Sequence, residues 1–348
     1  MPNNSAIIAK KTPLLKRSLL SAMTAALAIS VSLTGCSNSD NTDMDDTKAQ
    51  NNTADAASNV ADNDAVSVPS VEVDTVKGPV DFPMNPSPVV MYDMSLMQDL
   101  AALNVAIDGA PNGLLLENLL PAALPDPEEV GTLFEPDLEA LNEMQPQVIL
   151  IGSRMAEKYN ELSNIAPTLD MSIDTANIYE SSKRRLLDLG ALFGQSDLAA
   201  RLQQDIDGMI EQTKASTKDK GNGLVVMVTG NKLSAYGDQS RFGFIHSVLD
   251  VPMADEQISE GSHGQPISFE YIQQMNPDWL FVIDRGAAIG QEGASAKAVL
   301  DNPLVAQTTA WDKDQVVYLS PDSYLAFGGY HQWMQDLETI NSAFSKAQ

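Results

Sequence analysis

Two stretches of this chain are copies of one another. Laid side by side without a gap, Pro136–Arg154 (PDLEALNEMQPQVILIGSR) and Ile267–Arg285 (ISFEYIQQMNPDWLFVIDR) align Glu139 with Glu270 and Leu141 with Ile272. They also align Met144 with Met275, Pro146 with Pro277 and Arg154 with Arg285. A repeated unit constrains architecture more than any single motif does. Each copy reads as a short amphipathic helix with its glutamate in the first turn, where negative charge suits the helix dipole. The helix stops before the proline, which disfavours helical geometry in the residue ahead of it. The apolar runs that follow, Val148–Ile151 and Trp279–Ile283, have the length and composition of strands buried on both faces. An arginine ends each run, and α/β sheets bind ligands at the carboxyl ends of their strands. The expectation is an α/β fold of two similar lobes facing a central cleft.

The rest of the chain fits that plan. Residues 68–83 alternate and turn at Lys77-Gly78, which predicts an edge hairpin. In the first lobe, Val89–Tyr92 and Val105–Ile107 read as strands and Ser95–Leu103 as a helix; in the second, Gly223–Val228 reads as a strand and Phe242–Leu249 as a helix. Ser181–Phe193 is helical and capped by Gly194. Asp197–Ser216 shows helical periodicity through Leu198, Leu202, Ile206 and Ile210. A single long helix joining the lobes implies little hinge closure. The expected boundaries are an N-terminal lobe over 71–195, an inter-lobe helix over 196–218 and a C-terminal lobe over 219–348.

Residues 1–35 read as a secretory signal: Lys10, Lys11, Lys16 and Arg17 precede an apolar run from Leu19 to Leu33 that is short for a membrane span. The run ends in Leu33-Thr34-Gly35-Cys36, which is similar to the lipobox of bacterial lipoproteins. The resemblance implies cleavage before Cys36 and lipidation of it. Cys36 is the chain's one cysteine, so an intramolecular disulfide is not its reason. Residues 36–70, mostly Asn, Asp, Ser, Thr and Ala, read as an acidic tether that lacks the apolar surface to fold. Several acyl chains would anchor the protein stably. Removing the signal takes away four cations and no acid, moving the formal charge from −26 to −30. So negative a chain argues against nucleic acid as a ligand and makes arginines in a cleft more informative.

The stretches GTLFEPDLEALNEMQPQVILIGSR, AYGDQSRFGFIH, SHGQPISFEYI, NPDWLFVIDRG and SPDSYLAFGG together resemble the periplasmic binding lipoproteins for catecholate siderophores, from about residue 70 to 345. The resemblance implies a class III periplasmic binding protein: two lobes joined by a long helix, with no enzymatic activity. It implies a ferric siderophore as ligand and delivery to an ABC permease and its ATPase. It also implies residue roles: Arg154, Arg241 and Arg285 attract the anionic iron complex, and His263 and Tyr324 bind the iron directly. Glu139 and Glu270, one per lobe, would dock onto the importer. The chain departs from its relatives at Ala110-Pro111-Asn112-Gly113, where they carry a Gly-Leu-Pro-Lys-type turn, and this affects the first-lobe rim.

The chemistry is consistent in its own right. Ferric iron favours oxygen donors and also suits imidazole. A tetradentate bis-catecholate leaves two octahedral positions, which a phenolate and an imidazole fill. Guanidinium forks suit catecholate oxygens. Arg241, beside a predicted helix start, would be reconciled with the dipole by an anion there. Plainer readings stand beside these: His263 as an exposed loop residue, Tyr324 as a packing residue, the arginines in surface ion pairs and the glutamates merely serving their helix dipoles. His246 and His331 read as packing or solvent residues. The same scaffold also suits haem or another metal chelate such as cobalamin, since tyrosine and histidine both serve as haem ligands. Bare zinc or manganese fits poorly with three scattered histidines. No nucleophile elbow, metalloprotease helix or phosphate loop appears. A monomer is expected, placed in the periplasm or cell envelope as an anchored lipoprotein.

Overall fold

The computed structural model describes residues 69–112, 126–258 and 263–347. The signal, Cys36 and the tether fall outside the described residues, as do Gly113 of the divergent turn and Glu260–Ser262 ahead of His263.

The described residues open with a hairpin, β1 (Ser70–Thr75) and β2 (Gly78–Pro83). It continues through β3 (Val89–Met91), α1 (Met94–Ala102), β4 (Gly109–Ala110), β5 (Glu128–Glu129), α2 (Leu138–Met144), β6 (Val148–Ile151), α3 (Tyr159–Ser163) and β7 (Thr168–Asp170). Two helices follow, α4 (Ile178–Leu192) and α5 (Ser196–Thr217). The second half runs β8 (Gly223–Thr229), β9 (Lys232–Tyr236), α6 (Phe244–Ser247), β10 (Gln265–Ile267), α7 (Phe269–Met275) and β11 (Trp279–Asp284). It ends with α8 (Arg285–Ala288), α9 (Ala296–Leu300), α10 (Thr309–Asp312), β12 (Val316–Tyr318) and α11 (Tyr330–Lys346).

Among the described residues these strands form, besides the hairpin, two five-stranded sheets. The first has the order β5-β4-β3-β6-β7 and is parallel throughout. The second has the order β10-β9-β8-β11-β12, with β9 antiparallel to both of its neighbours. Strand alternation assigns each sheet two buried faces. Val89, Met91, Val148 and Leu150 share one hydrophobic cluster with Val225, Met227, Phe281 and Ile283 of the second sheet. Val90, Ile149 and Ile151 face a separate outer cluster, as do Leu224, Val226, Val228 and Val282 on the other sheet. The near-continuous apolar runs of β6 and β11 are explained by this two-sided burial.

The shared cluster is built around α5, which carries the chain between the sheets, and α11, which returns to pack on α5 and α1. A buried polar seam accompanies it. Arg185 on α4 pairs with Asp99 on α1 at 2.8 Å, donates to Ser95 Oγ at 2.9 Å and reaches the Gly328 carbonyl at 3.3 Å. Asp99 also accepts the backbone N–H of Tyr330 at 2.9 Å, and Gln98 that of Gln332. The first turn of α11 is thus hydrogen-bonded to α1.

The two copies of the repeat agree in local detail. Asp137 and Ser268 cap α2 and α7 with their side chains. Gln145 and Asn276 end them in the left-handed conformation, with φ of 51° and 43°. The prolines then turn the chain into β6 and β11.

Two expected elements differ. Val105–Ile107 forms no strand; pairing with β3 begins at Gly109, opposite Val90. Asn104, with φ of 57°, turns the chain at the end of α1, so Val105 still bonds the Leu100 carbonyl. Close contact decides the register: a side chain at Gly109 would lie 2.9 Å from Val90 Cγ2. The helix expected over Phe242–Leu249 shrinks to the single turn of α6. A tight turn precedes it, in which a Cβ on Gly243 would meet the Asp238 carbonyl at 1.9 Å. Arg241 lies in that turn, so a helix-dipole account of it does not apply.

Candidate ligand-binding site

In the first sheet the chain leaves β3 to one side and β6 to the other, so the segments beyond these two strands diverge at a switch point. Met94 follows β3, and Ser153 and Arg154 follow β6 after Gly152. The two segments touch so closely that a Cβ on Gly152 would lie 2.3 Å from Asp93 Oδ2. Arg154 therefore sits three residues past its strand, in a 3-10 turn over Ser153–Lys158. Its counterpart Arg285 follows β11 directly, as the first residue of α8.

These residues line a cavity of about 700 Å³ together with Arg241, His263 and Tyr324. All five expected ligand-contacting residues thus meet in one place, although they come from five separate segments.

Tyr324 is the centre of the arrangement. Arg285 Nε donates to its hydroxyl at 3.0 Å. The guanidinium carbons of Arg285, Arg241 and Arg154 lie 5.1, 5.3 and 5.9 Å from its ring centroid. Arg154 also donates to the carbonyls of Tyr324 and Leu325, at 3.0 and 3.1 Å, while Asp93 stands 3.8 Å away. Phe327 forms a second aromatic support, 5.1 Å from the Arg241 guanidinium and 5.8 Å from that of Arg154. Aromatic faces offset part of the repulsion among clustered cations. Burial and the neighbouring Arg154 push the Arg241 guanidinium below its ordinary value.

The turn carrying Tyr324 (Pro321–Tyr324) is fixed from behind. Ser323 donates to Asp336 at 2.7 Å, and the Gln332 amide donates to both, at 2.9 and 2.8 Å. Desolvation pushes the Asp336 carboxyl up to about 7 despite these bonds. His263 is exposed at the cavity edge. Its loop crosses Tyr236 at Gly264, where φ is +70° and a Cβ would lie 2.8 Å from the Tyr236 ring and 2.7 Å from the Ala235 carbonyl. Only glycine suits both the conformation and the gap. Burial pushes the Tyr236 hydroxyl up to about 12.

Glu139 and Glu270 lie far from this chemistry in role, exposed in the first turns of α2 and α7. Hydrogen bonds from its own N–H and from Ser268 hold the Glu270 carboxyl below its usual range. His246 is buried, with Nδ1 2.8 Å from the Val251 carbonyl. His331 is exposed on α11. Among the described residues no group of three or more His, Cys, Asp and Glu is placed to hold a metal. No described helix is long and apolar enough to cross a membrane.

Sequence reasoning missed Phe327 and the apolar lining of the cavity, Met94, Leu133 and Leu325, with exposed Phe134 and Ile289 at its mouth. The phenylalanine three residues after Tyr324 was a readable signal. The mouth was not, because exposure of an apolar side chain is a tertiary property.

Comparison with known proteins agrees with this geometry. The chain is 38% identical over 268 residues to the petrobactin-binding protein YclQ of Bacillus subtilis, covering 76% of this chain and 84% of that one. The crystal structure of YclQ superposes with a TM-score of 0.75, at 35% identity, over 80% of this chain and 99% of the other. The ferric-anguibactin-binding protein FatB of Vibrio anguillarum is 33% identical over 250 residues, covering 69% and 76% of the two chains. The periplasmic catecholate-siderophore binding protein VctP of Vibrio cholerae matches with a TM-score of 0.72 at 25% identity, over 79% of this chain and all of the other (100%). These relatives are binding proteins rather than enzymes, and for FatB the name gives the ferric complex as the ligand it binds. With the family model also matching residues 89–323, this chain belongs to the periplasmic binding protein family.

Proposed function

We propose that this protein captures a ferric siderophore of the catecholate type and delivers it to an ABC importer. The observation that carries the reading is the convergence of three guanidinium groups on Tyr324 in one cavity. In a chain of formal charge −26, such a concentration of cations marks the place for an anionic ligand. The cavity has the size of a small-molecule site. The ferric complex enters with its catecholate oxygens toward Arg154, Arg241 and Arg285. A tetradentate bis-catecholate leaves two positions on the iron, and Tyr324 and His263 supply them. The names of the relatives support the same ligand class.

Arg154–Tyr324 and Arg285–Tyr324 contacts tie both sheets to one residue, consistent with two lobes closing little around the ligand. Glu139 and Glu270, exposed at matched positions of the repeat, serve as the docking points for the permease. Charge reversal at both should abolish uptake while leaving ligand affinity intact; lost affinity would sink that assignment. Cys36 carries the lipid that anchors the protein in the cell envelope, and the carrier acts as a monomer.

Competition tests the ligand directly. Ferric bis-catecholate should saturate the purified protein and exclude haem. Tight haem binding that ferric bis-catecholate fails to displace would assign the scaffold to the other chelate.

A further inference from the structure

The cavity has two zones of opposite character. Its interior is cationic, whereas its mouth carries two of the largest exposed apolar side chains among the described residues: Phe134 is 64% exposed and Ile289 44%. They come from separate segments, Phe134 from the turn before α2 and Ile289 from the end of α8. Single exposed apolar residues need no explanation, but two that converge on one cavity do.

Both are presented by built turns. Thr132 Oγ1 accepts the N–H groups of Phe134 and Glu135, and Thr132 N–H donates to the Glu135 carbonyl. Gly131, with φ of +107°, admits this turn because a Cβ there would lie 2.4 Å from the Glu135 carbonyl. Lys158 then fixes Glu135 at 2.8 Å. On the other side the Ile289 N–H bonds the Arg285 carbonyl at 3.2 Å, and Gly290 turns the chain with φ of +63°. Asp284 accepts the N–H groups of Ala287 and Ala296, which closes that loop on itself.

We infer that Phe134 and Ile289 are specificity-determining residues, forming an apolar lip that covers the outward face of the ferric chelate. The inference rests on the proposed ferric-siderophore reading. The lip selects chelates whose linker is aromatic or aliphatic, and it discriminates against polycarboxylate chelates that present charge outward. Covering about 60 Å² of apolar surface corresponds to roughly a tenfold gain in affinity.

The test uses the whole protein with Phe134→Ala, Ile289→Ala and both together. Dissociation constants are measured for ferric bis-catecholate with a hydrocarbon linker and for ferric citrate. The double substitution should weaken catecholate binding about tenfold, each single one by less, and both should leave citrate binding unchanged or stronger, so the affinity ratio falls. Catecholate binding with an unchanged ratio overturns the lip and leaves the ligand assignment intact. Unchanged affinity with lost uptake also overturns it, and transfers both residues to the importer interface. No catecholate binding by the unaltered protein removes the ligand assignment and the lip together.

Discussion

Replacing Arg185 with methionine probes the seam that holds the Tyr324 segment against the first sheet. Arg185 is 4% exposed at its side chain and Asp99 1%, so the substitution leaves a carboxylate buried without its cation. It also removes donors from Ser95 and from the Gly328 carbonyl. Breaking a buried pair in this way costs about 3–5 kcal/mol. Proton uptake limits the damage. Burial pushes the Asp99 carboxyl above its ordinary range, with Arg185 pulling the other way, and loss of the cation moves it higher. Lowering the pH favours protonated Asp99, most of all in the variant, so the cost falls toward that of the lost hydrogen bonds, about 1–3 kcal/mol. Urea unfolding followed by tryptophan fluorescence at pH 7.5 and pH 5 separates the two terms. Trp333 reports directly, since its indole N–H bonds Ser182 on the same helix as Arg185. Equal losses at the two pH values would refute the reasoning, as would a loss below about 1 kcal/mol at pH 7.5.

Other substitutions test neighbouring parts of the account. Arg241→Met should weaken binding of an anionic chelate by roughly a hundredfold, the scale of truncating one partner of a charge pair. Folding stability should change less than affinity does, because the lost contacts with Tyr324 and Phe327 are offset by relief of repulsion from Arg154; a stability loss in urea that exceeds the loss of binding energy contradicts this. Asp336 titrates near 7 in the fold against an ordinary value near 4, so the folded chain retains a proton that the unfolded chain loses. Its contribution is fully present below about 4 and is lost as pH rises through about 7, with a slope of at most about 1.4 kcal/mol per pH unit. Asp336→Asn should flatten that slope in urea titrations between pH 4.5 and 7.5, and an unchanged slope rejects the assignment. Gly264→Ala forces a side chain into a positive-φ position against Tyr236, at about 1–2 kcal/mol for the conformation alone. The loop should shift and displace His263. The iron-bound spectrum should then change more than the melting temperature does, and the reverse pattern contradicts the role of Gly264.

What the sequence disclosed about the fold was its repeated unit, because both copies use the same local physics: a capped helix, a left-handed end, a proline and a doubly buried strand. The arginines beyond β6 and β11 were legible for the same reason. Arg241, His263 and Tyr324 were not derivable from periodicity; they came from the likeness of whole motifs to a family. Val105–Ile107 misled because β-branched residues favour strands, whereas the register was decided by space beside Val90 that only Gly109 fits. Phe242–Leu249 misled because its apolar spacing was helical, while the turn around Gly243 consumed the first half of it. The lip of Phe134 and Ile289 was invisible in a linear reading, since an apolar residue normally signals a core. The buried links of Arg185 and Asp336 were equally hidden. The partners of Arg185 lie up to 143 residues away, and the one-turn spacing of Gln332 and Asp336 does not disclose that the pair is buried against Ser323.

The central claim is iron capture with direct ligation by Tyr324. It is tested by titrating the purified protein and its Tyr324→Phe variant with ferric bis-catecholate, following the visible charge-transfer band together with tryptophan fluorescence. The account predicts tight binding by the unaltered protein and a shifted band with weaker binding in the variant. An identical band and affinity in the two proteins would contradict it.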